Sequence, residues 1–200
     1  MIRRAASKFG DNDFIVMPDR RMTYAQAEDA SRRVGKQLLA AGAGKGTRIG
    51  FMFPYGTDWM VAWLATSRIG ALCMPFSTSY KPAELRKALR HGDVEILMVP
   101  ATLFGQDHQA FVEEAVPALA GAARRALRLP DVPYLRSVWV MGDDLRPWAE
   151  PLNLDFRVDS ADSADSAETD GREAVSEQLF EAIEAQVTPA DLMMAVFTSG

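Results

Sequence analysis

The sequence predicts an α/β fold in which helices cover both faces of a mainly parallel sheet. Three short apolar runs support this prediction, and turn-forming residues bound each of them: 47–54, 71–75 and 94–99. Nearly unbroken apolar runs are typical of strands that are buried on both faces. Segments with helical spacing alternate with these runs, which favours right-handed crossovers between parallel strands.

The N-terminal region predicts a hairpin followed by a helix. Residues 14–17 form one predicted strand, Pro18-Asp19-Arg20 the turn and 21–22 the return strand. Thr23 and Gln26 have the spacing of a capping box. Apolar residues then recur at spacings of three and four until Gly42, which predicts one buried helix face: Tyr24, Ala27, Ala30, Val34 and Leu38.

Two further helices are predicted in the middle of the chain. One spans about 57–69 and ends at Gly70, and the other spans 82–90 with proline in its first turn. Lys81 stands at the N-cap position of the second helix, where its side chain is a poor cap. We therefore expect the start of this helix to depend on packing or on Ser79.

The alternation of predicted strands and helices becomes less regular after residue 100. We predict a helix over 111–119 despite Pro117, a strand over 137–141 and a helix over 176–186. The apolar run 191–197 predicts a final buried strand, although its length alone does not distinguish a strand from a buried helical segment.

The negative charge of the chain is concentrated in one tract. The formal net charge is −5, and between Asp159 and Glu173 six acidic residues stand against the single basic residue Arg172. The remainder is therefore close to neutral, which argues against a nucleic-acid partner. The tract is also poor in apolar residues, so we interpret 158–174 as a mobile surface insertion within a domain.

Composition indicates a soluble, cytoplasmic protein. Cys73 is the only cysteine, so an internal disulfide is excluded, and its mid-strand position predicts a buried apolar role. The N-terminus lacks the apolar core of a secretory signal, and no apolar run is long enough to span a membrane. The basic residues Arg3, Arg4 and Lys8 are interpreted as a solvated helix face and not as a binding arm.

Few residues outside the C-terminal end suggest chemistry. The glycine-rich stretch 42–47 follows a helix and precedes a strand, the reverse of a nucleotide-binding loop, so we interpret it as a helix stop and a tight turn. The two histidines are His91, at a helix end, and His108, in a predicted loop. They predict neither a metal site nor a catalytic dyad.

The last three residues are the candidate site. Thr198, Ser199 and Gly200 provide two hydroxyl groups and one permissive backbone position directly after the final apolar run. A loop that wraps a phosphate with backbone N–H groups and hydroxyls begins in this way.

Five segments, in this order, together resemble the start of the AMP-forming acyl-CoA synthetases. They are Met22-Thr-Tyr-Ala-Gln26, the strand and turn at 46–56, the helix end at 63–71, Lys81-Pro-Ala-Glu-Leu-Arg86, and Asp191 with Phe197-Thr-Ser-Gly200. The resemblance covers the chain apart from the acidic tract. It is closest to fatty-acid or carboxylic-acid CoA ligases of the adenylate-forming superfamily.

The resemblance implies a two-step reaction. A carboxylate attacks the α-phosphate of ATP in the presence of Mg²⁺, and the thiol of coenzyme A then displaces AMP from the acyl-adenylate. Thr198, Ser199 and Gly200 match the first three positions of the family's phosphate loop. The rest of that loop, the acyl pocket and the small C-terminal domain with its catalytic lysine would lie downstream. We therefore expect residues 1–200 to be a partial AMP-binding domain that contains no catalytic residue and is inactive alone.

One other interpretation remains open. The chain could be a non-catalytic interaction module on the same half-fold, which would bind a partner through uncovered apolar surface. An unrelated doubly wound nucleotide binder would need a complete phosphate loop after an early strand, and the sequence has none.

Overall fold

The computed structural model describes residues 2–125, 127–157 and 174–198, so most of the predicted acidic insertion lies outside the described residues. The helices in these ranges are α1 (Ile2–Phe9), α2 (Tyr24–Ala40), α3 (Thr57–Arg68), α4 (Pro82–His91), α5 (His108–Ala115) and α6 (Glu177–Ala185). The strands are β1 (Asp13–Val16), β2 (Arg21–Thr23), β3 (Arg48–Phe51), β4 (Leu72–Pro75), β5 (Ile96–Pro100), β6 (Thr102–Leu103), β7 (Gln106–Asp107), β8 (Ser137–Met141) and β9 (Ala149–Pro151).

The chain folds into two compact units, and each unit is assembled from three separate stretches. The first unit comprises Met1–Gly46, Pro54–Ala71 and Leu154–Met193. The second comprises Thr47–Phe53, Leu72–Asn153 and Met194–Gly200. Neither unit is continuous in sequence, which is why composition shows no boundary between them.

The first unit begins as predicted, with a hairpin that leads into a capped helix. β1 and β2 pair antiparallel. The Thr23 hydroxyl accepts a hydrogen bond from the Gln26 N–H at 3.2 Å, and the Gln26 side chain accepts one from the Thr23 N–H at 2.9 Å. This capping box is confirmed, and the predicted apolar face of α2 is buried except for the half-buried Tyr24. Gly42 follows the helix with a φ of +84°.

The basic N-terminus forms α1, and only part of it is a solvated face. Arg4 and Lys8 are exposed, as expected. Arg3, however, forms ion pairs with Glu181 at 2.6 Å and Glu184 at 2.8 Å on α6. The interpretation was wrong for Arg3 because its acidic partners lie far along the chain.

The second unit is built on a parallel sheet, which confirms the predicted fold class. Its five strands lie in the order β4-β3-β5-β8-β9 and are all parallel. Strand β9 was not predicted because it is short and contains the charged residue Glu150. The antiparallel pair β6 and β7, of two residues each, was also missed.

Helices α4 and α5 share one apolar core with the sheet of this unit. The core includes Leu85 and Leu89 of α4, Val112 of α5 and Leu97 of β5. Close packing of such side chains against strands supplies most of the stability of a domain of this kind.

The starts of α4 and α5 are both supported by acidic side chains that were not predicted as caps. The Glu84 carboxylate accepts a hydrogen bond from the Lys81 N–H at 2.7 Å, so α4 has a support other than Ser79. Asp107 accepts a hydrogen bond from the Ala110 N–H at 2.9 Å, so α5 begins earlier than predicted. The predicted helix over 111–119 is divided, because Pro117 begins a separate 3₁₀ turn.

No helix among the described residues combines the length and the apolar character that crossing a bilayer requires.

Candidate functional site at the carboxyl edge of the sheet

The carboxyl ends of the parallel strands meet at one edge of the sheet. Strands β4, β3, β5 and β8 run in the same direction, so the segments that follow them emerge at this edge. In open α/β sheets, ligands bind in the crevice outside the carboxyl ends of the strands. This edge is therefore where a phosphate-binding segment is expected.

The C-terminal segment reaches this edge by running alongside β4. Met194 forms a parallel bridge with Cys73, and the Ala195 N–H donates a hydrogen bond to the Cys73 carbonyl at 2.9 Å. Because the two segments are parallel, the chain after Ala195 leaves the sheet at the carboxyl edge.

The prediction of a buried final strand is wrong. The segment forms a single bridge, and Leu192 is 77% exposed while Val196 is 60% exposed. The physical reason is its position: it lies on the outer side of the edge strand β4, and no other strand of the described ranges covers it. A neighbouring strand fixes the direction of a segment but covers neither of its faces, which only elements packed above and below the sheet can bury.

The structure places one of the three predicted site residues. Thr198 is exposed and directly follows Phe197, whose ring centroid lies 6.2 Å from that of Phe76 just after β4. Ser199 and Gly200 lie outside the described residues. Thr198 thus follows a segment that runs parallel to β4 toward the carboxyl end of that strand.

The loop after β4 brings further polar groups to the same edge. It carries the exposed side chains of Ser77, Ser79 and Lys81, and the Ser77 hydroxyl accepts a hydrogen bond from the Ser79 N–H at 3.2 Å. Burial, together with the nearby Glu84 carboxylate, raises the pKa of Tyr80 in this loop. These residues were not predicted as part of the site, although hydroxyls that directly follow a predicted parallel strand were an available signal.

His108 was predicted to lie in a loop, but the structure places it in a helix, where its role is structural. It is the first residue of α5, is 4% exposed, and stacks on Phe111 with ring centroids 4.9 Å apart. Burial lowers the pKa of His108, and a hydrogen bond with the Pro100 backbone partly offsets this effect. The imidazole is therefore buried inside the second unit, where it packs against Phe111.

Cys73 is buried in β4, and burial raises the pKa of its thiol. A thiol without thiolate character is a poor nucleophile, so the predicted apolar role of Cys73 is confirmed. Across 2–125, 127–157 and 174–198, His, Cys, Asp and Glu side chains form no group of three or more that could hold a metal ion.

Known proteins match most of the chain. Residues 2–200 match the sequence profile of the family described as AMP-binding enzyme. YngI of Bacillus subtilis (strain 168), named as an acyl-CoA synthetase, is 28% identical over 145 residues, which are 72% of this chain and 26% of YngI. The mitochondrial medium-chain acyl-CoA ligase ACSF2 of Mus musculus is 28% identical over 138 residues, which are 66% of this chain and 22% of ACSF2. The chain thus spans about a quarter of the length of these curated relatives.

Solved structures show the same fold. The apo structure of MbtA from Mycobacterium smegmatis matches 100% of this chain and 30% of that chain, with a TM-score of 0.66 at 20% identity. The anthranilate CoA ligase AuaEII in complex with anthranoyl-AMP matches 70% of this chain and 24% of that chain, with a TM-score of 0.56 at 21% identity.

Proposed function

The chain belongs to the AMP-binding enzyme family, and from that premise we propose that it is the N-terminal part of an ATP-dependent acyl-CoA synthetase. In the proposed reaction, a carboxylate oxygen of a fatty acid attacks the α-phosphorus of ATP and pyrophosphate leaves. The thiol of coenzyme A then attacks the acyl carbon and AMP leaves. The names of YngI and ACSF2 support the acyl-CoA product, and the anthranoyl-AMP bound to AuaEII supports the adenylate intermediate.

The observation that carries the proposal is the course of the chain beside β4. The hydrogen bond from Ala195 to Cys73 directs Thr198 to the carboxyl edge of the sheet. We assign Thr198, Ser199 and Gly200 to the start of the phosphate-binding loop. Their hydroxyls and N–H groups would donate to phosphate oxygens and orient the triphosphate for attack.

Mg²⁺ would help to offset the charge of the triphosphate. The described residues form no acidic cluster suited to this ion, so we propose that it enters with ATP. The role assigned to Thr198 does not depend on it.

We propose that residues 1–200 are inactive alone. They span about a quarter of each relative, so most donors to ATP and the acyl pocket would come from other parts of such an enzyme. The proposed partners are a carboxylic acid, ATP and coenzyme A, with no nucleic acid. The proposed compartment is the cytoplasm, although the relative ACSF2 is named as mitochondrial.

A second candidate function is a non-catalytic interaction module. The exposed apolar side chains of Leu192, Met193 and Val196 favour it, because a contiguous apolar segment on a surface often marks an interface.

A chimaera separates the two functions. Residues 2–200 would replace the matching segment of mouse ACSF2, and carboxylate-dependent ATP–pyrophosphate exchange would be measured beside unaltered ACSF2 and the isolated 200-residue chain. We expect exchange with fatty acids from the chimaera and none above background from the isolated chain. A folded chimaera without exchange would contradict the enzyme proposal, and exchange by the isolated chain would contradict its proposed inactivity.

A further inference from the structure

Two contacts hold the backbone just before Thr198 against β4 and the residue that follows it. The hydrogen bond from the Ala195 N–H to the Cys73 carbonyl holds the backbone three residues earlier. The ring of Phe197, the residue immediately before Thr198, lies 6.2 Å from the ring of Phe76 at an interplanar angle of 35°. Aromatic pairs at this separation attract one another beyond the burial of their area.

The ring of Phe76 is itself fixed in place. Phe76 is 5% exposed, and its ring also lies 6.2 Å from that of Tyr80. The Phe76 ring also packs against β3, in space that is free only because residue 50 is glycine. A Cβ atom on Gly50 would lie 2.5 Å from Cε2 and 3.0 Å from Cζ of Phe76.

A continuous set of contacts therefore leads from the sheet to the candidate site. Gly50 of β3 leaves room for Phe76, Phe76 contacts Phe197, and Phe197 precedes Thr198. Phe197 itself is 40% exposed, so its side chain is only partly buried. The buried ring of Phe76 is therefore a contact that helps to fix its position.

We propose that Phe76 is a positioning residue for the phosphate-binding segment. Through Phe197, it sets the direction in which the chain leaves β4 at Thr198. This inference rests on the proposed function for its consequence in catalysis, whereas the contact can be tested without it.

The contact is tested by hydrogen exchange on the 200-residue chain. The amide of Ala195 is the reporter, because its hydrogen bond to Cys73 opens when the segment leaves β4. We expect Phe76→Leu and Phe197→Leu each to speed the exchange of this amide by about fivefold. This factor corresponds to the interaction free energy of one aromatic pair. The double variant should exchange no faster than either single one, because both remove the same contact.

Phe111→Leu is the matched control. Phe111 packs against the same core but stacks on His108, so this variant should leave the Ala195 amide within about twofold of the unaltered chain. Phe197→Leu changes an exposed residue, so it reports on the contact even if Phe76→Leu prevents folding. Unchanged exchange in Phe197→Leu, or an equal change in Phe111→Leu, would overturn the inference.

The consequence for catalysis is tested in the ACSF2 chimaera. We expect Phe197→Leu to raise the KM for ATP about fivefold, the same aromatic-pair effect, and to leave the KM for the carboxylic acid unchanged. Phe197→Tyr keeps the ring and should restore the original value. An unchanged KM for ATP in Phe197→Leu would overturn the inference while the proposed function stands. An inactive parent chimaera would instead overturn the proposed function, and the exchange result would still decide the contact.

Discussion

Phe180 of α6 lies against the backbone of Gly35 in the middle of α2. A Cβ atom on Gly35 would be only 2.9 Å from Cε2 of the Phe180 ring. Phe180 is fully buried, and the guanidinium carbon of Arg68 lies 5.0 Å from its ring centroid. The absence of a side chain at residue 35 thus permits the contact between two helices that are distant in sequence.

Gly35→Ala is expected to destabilise the chain by about 1 kcal/mol. Overpacking against Phe180 costs about 1–3 kcal/mol, while the higher helix propensity of alanine offsets up to about 1 kcal/mol. Urea unfolding measures the difference. Gly121→Ala is the control, since nothing lies within 4 Å of the added Cβ, and it should change stability by less than about 0.5 kcal/mol. A smaller cost of Gly35→Ala in a Phe180→Leu background would identify the ring as the cause.

Arg68→Met is expected to cost about 3–5 kcal/mol, because it leaves acidic groups without their buried partner. The Arg68 side chain is 4% exposed and forms ion pairs with Glu28 at 2.8 Å and Glu184 at 2.7 Å. The exposed pair of Arg21 with Asp13 provides the control, and Arg21→Ala should cost less than about 1 kcal/mol. Equal unfolding midpoints for the two variants would refute the expectation.

His108 is expected to make stability fall as the pH decreases below about 6.5, the usual pKa of histidine. Burial lowers the pKa of His108 in the folded chain, so the unfolded chain binds the proton first. The free energy of unfolding is therefore unaffected above about pH 6.5 and decreases from there down to the folded pKa.

The difference between the unaltered chain and His108→Gln isolates this effect. Unfolding free energies measured between about pH 5 and pH 7.5 should show a steeper slope for the unaltered chain, by at most about 1.4 kcal/mol per pH unit. Other titrating groups, including Asp107 with its lowered pKa, are common to both proteins and cancel in first order. Parallel pH profiles would show that His108 does not carry the effect.

We expect adenylation by the ACSF2 chimaera to fall about 100-fold when Thr198 is replaced by valine and Ser199 by alanine. This is the lower end of the rate loss seen when a hydrogen-bond donor to a developing charge is removed. The thermal midpoint should hardly change, because Thr198 is exposed and the pairing of Ala195 with Cys73 remains. ATP–pyrophosphate exchange and thermal unfolding are measured on the same preparations. Normal adenylation by the double variant would contradict the assignment of these residues.

Local sequence patterns predicted the elements whose causes lie within a few residues. The capping box of Thr23 and Gln26 needs two side chains three positions apart, and both were identified. The cap of α5 by Asp107 has the same spacing but was missed, because no apolar period marked the start of that helix. For the candidate site, the motif led to the proposal of Thr198, which stays a prediction, while the aromatic contact of Phe197 with Phe76 was not foreseen.

The sequence by itself determined the order of the longer helices and of strands β3, β4, β5 and β8, and the family, because hydrophobic periods, caps and short motifs act over short stretches of chain. Only the tertiary structure decided the strand order, the pairing of Ala195 with Cys73 and the exposure of Val196. It also decided that Arg68 meets Glu184, 116 positions away. Such contacts join segments that are far apart in sequence. A periodic pattern shows that a face will be buried, but it does not show which distant segment packs against that face.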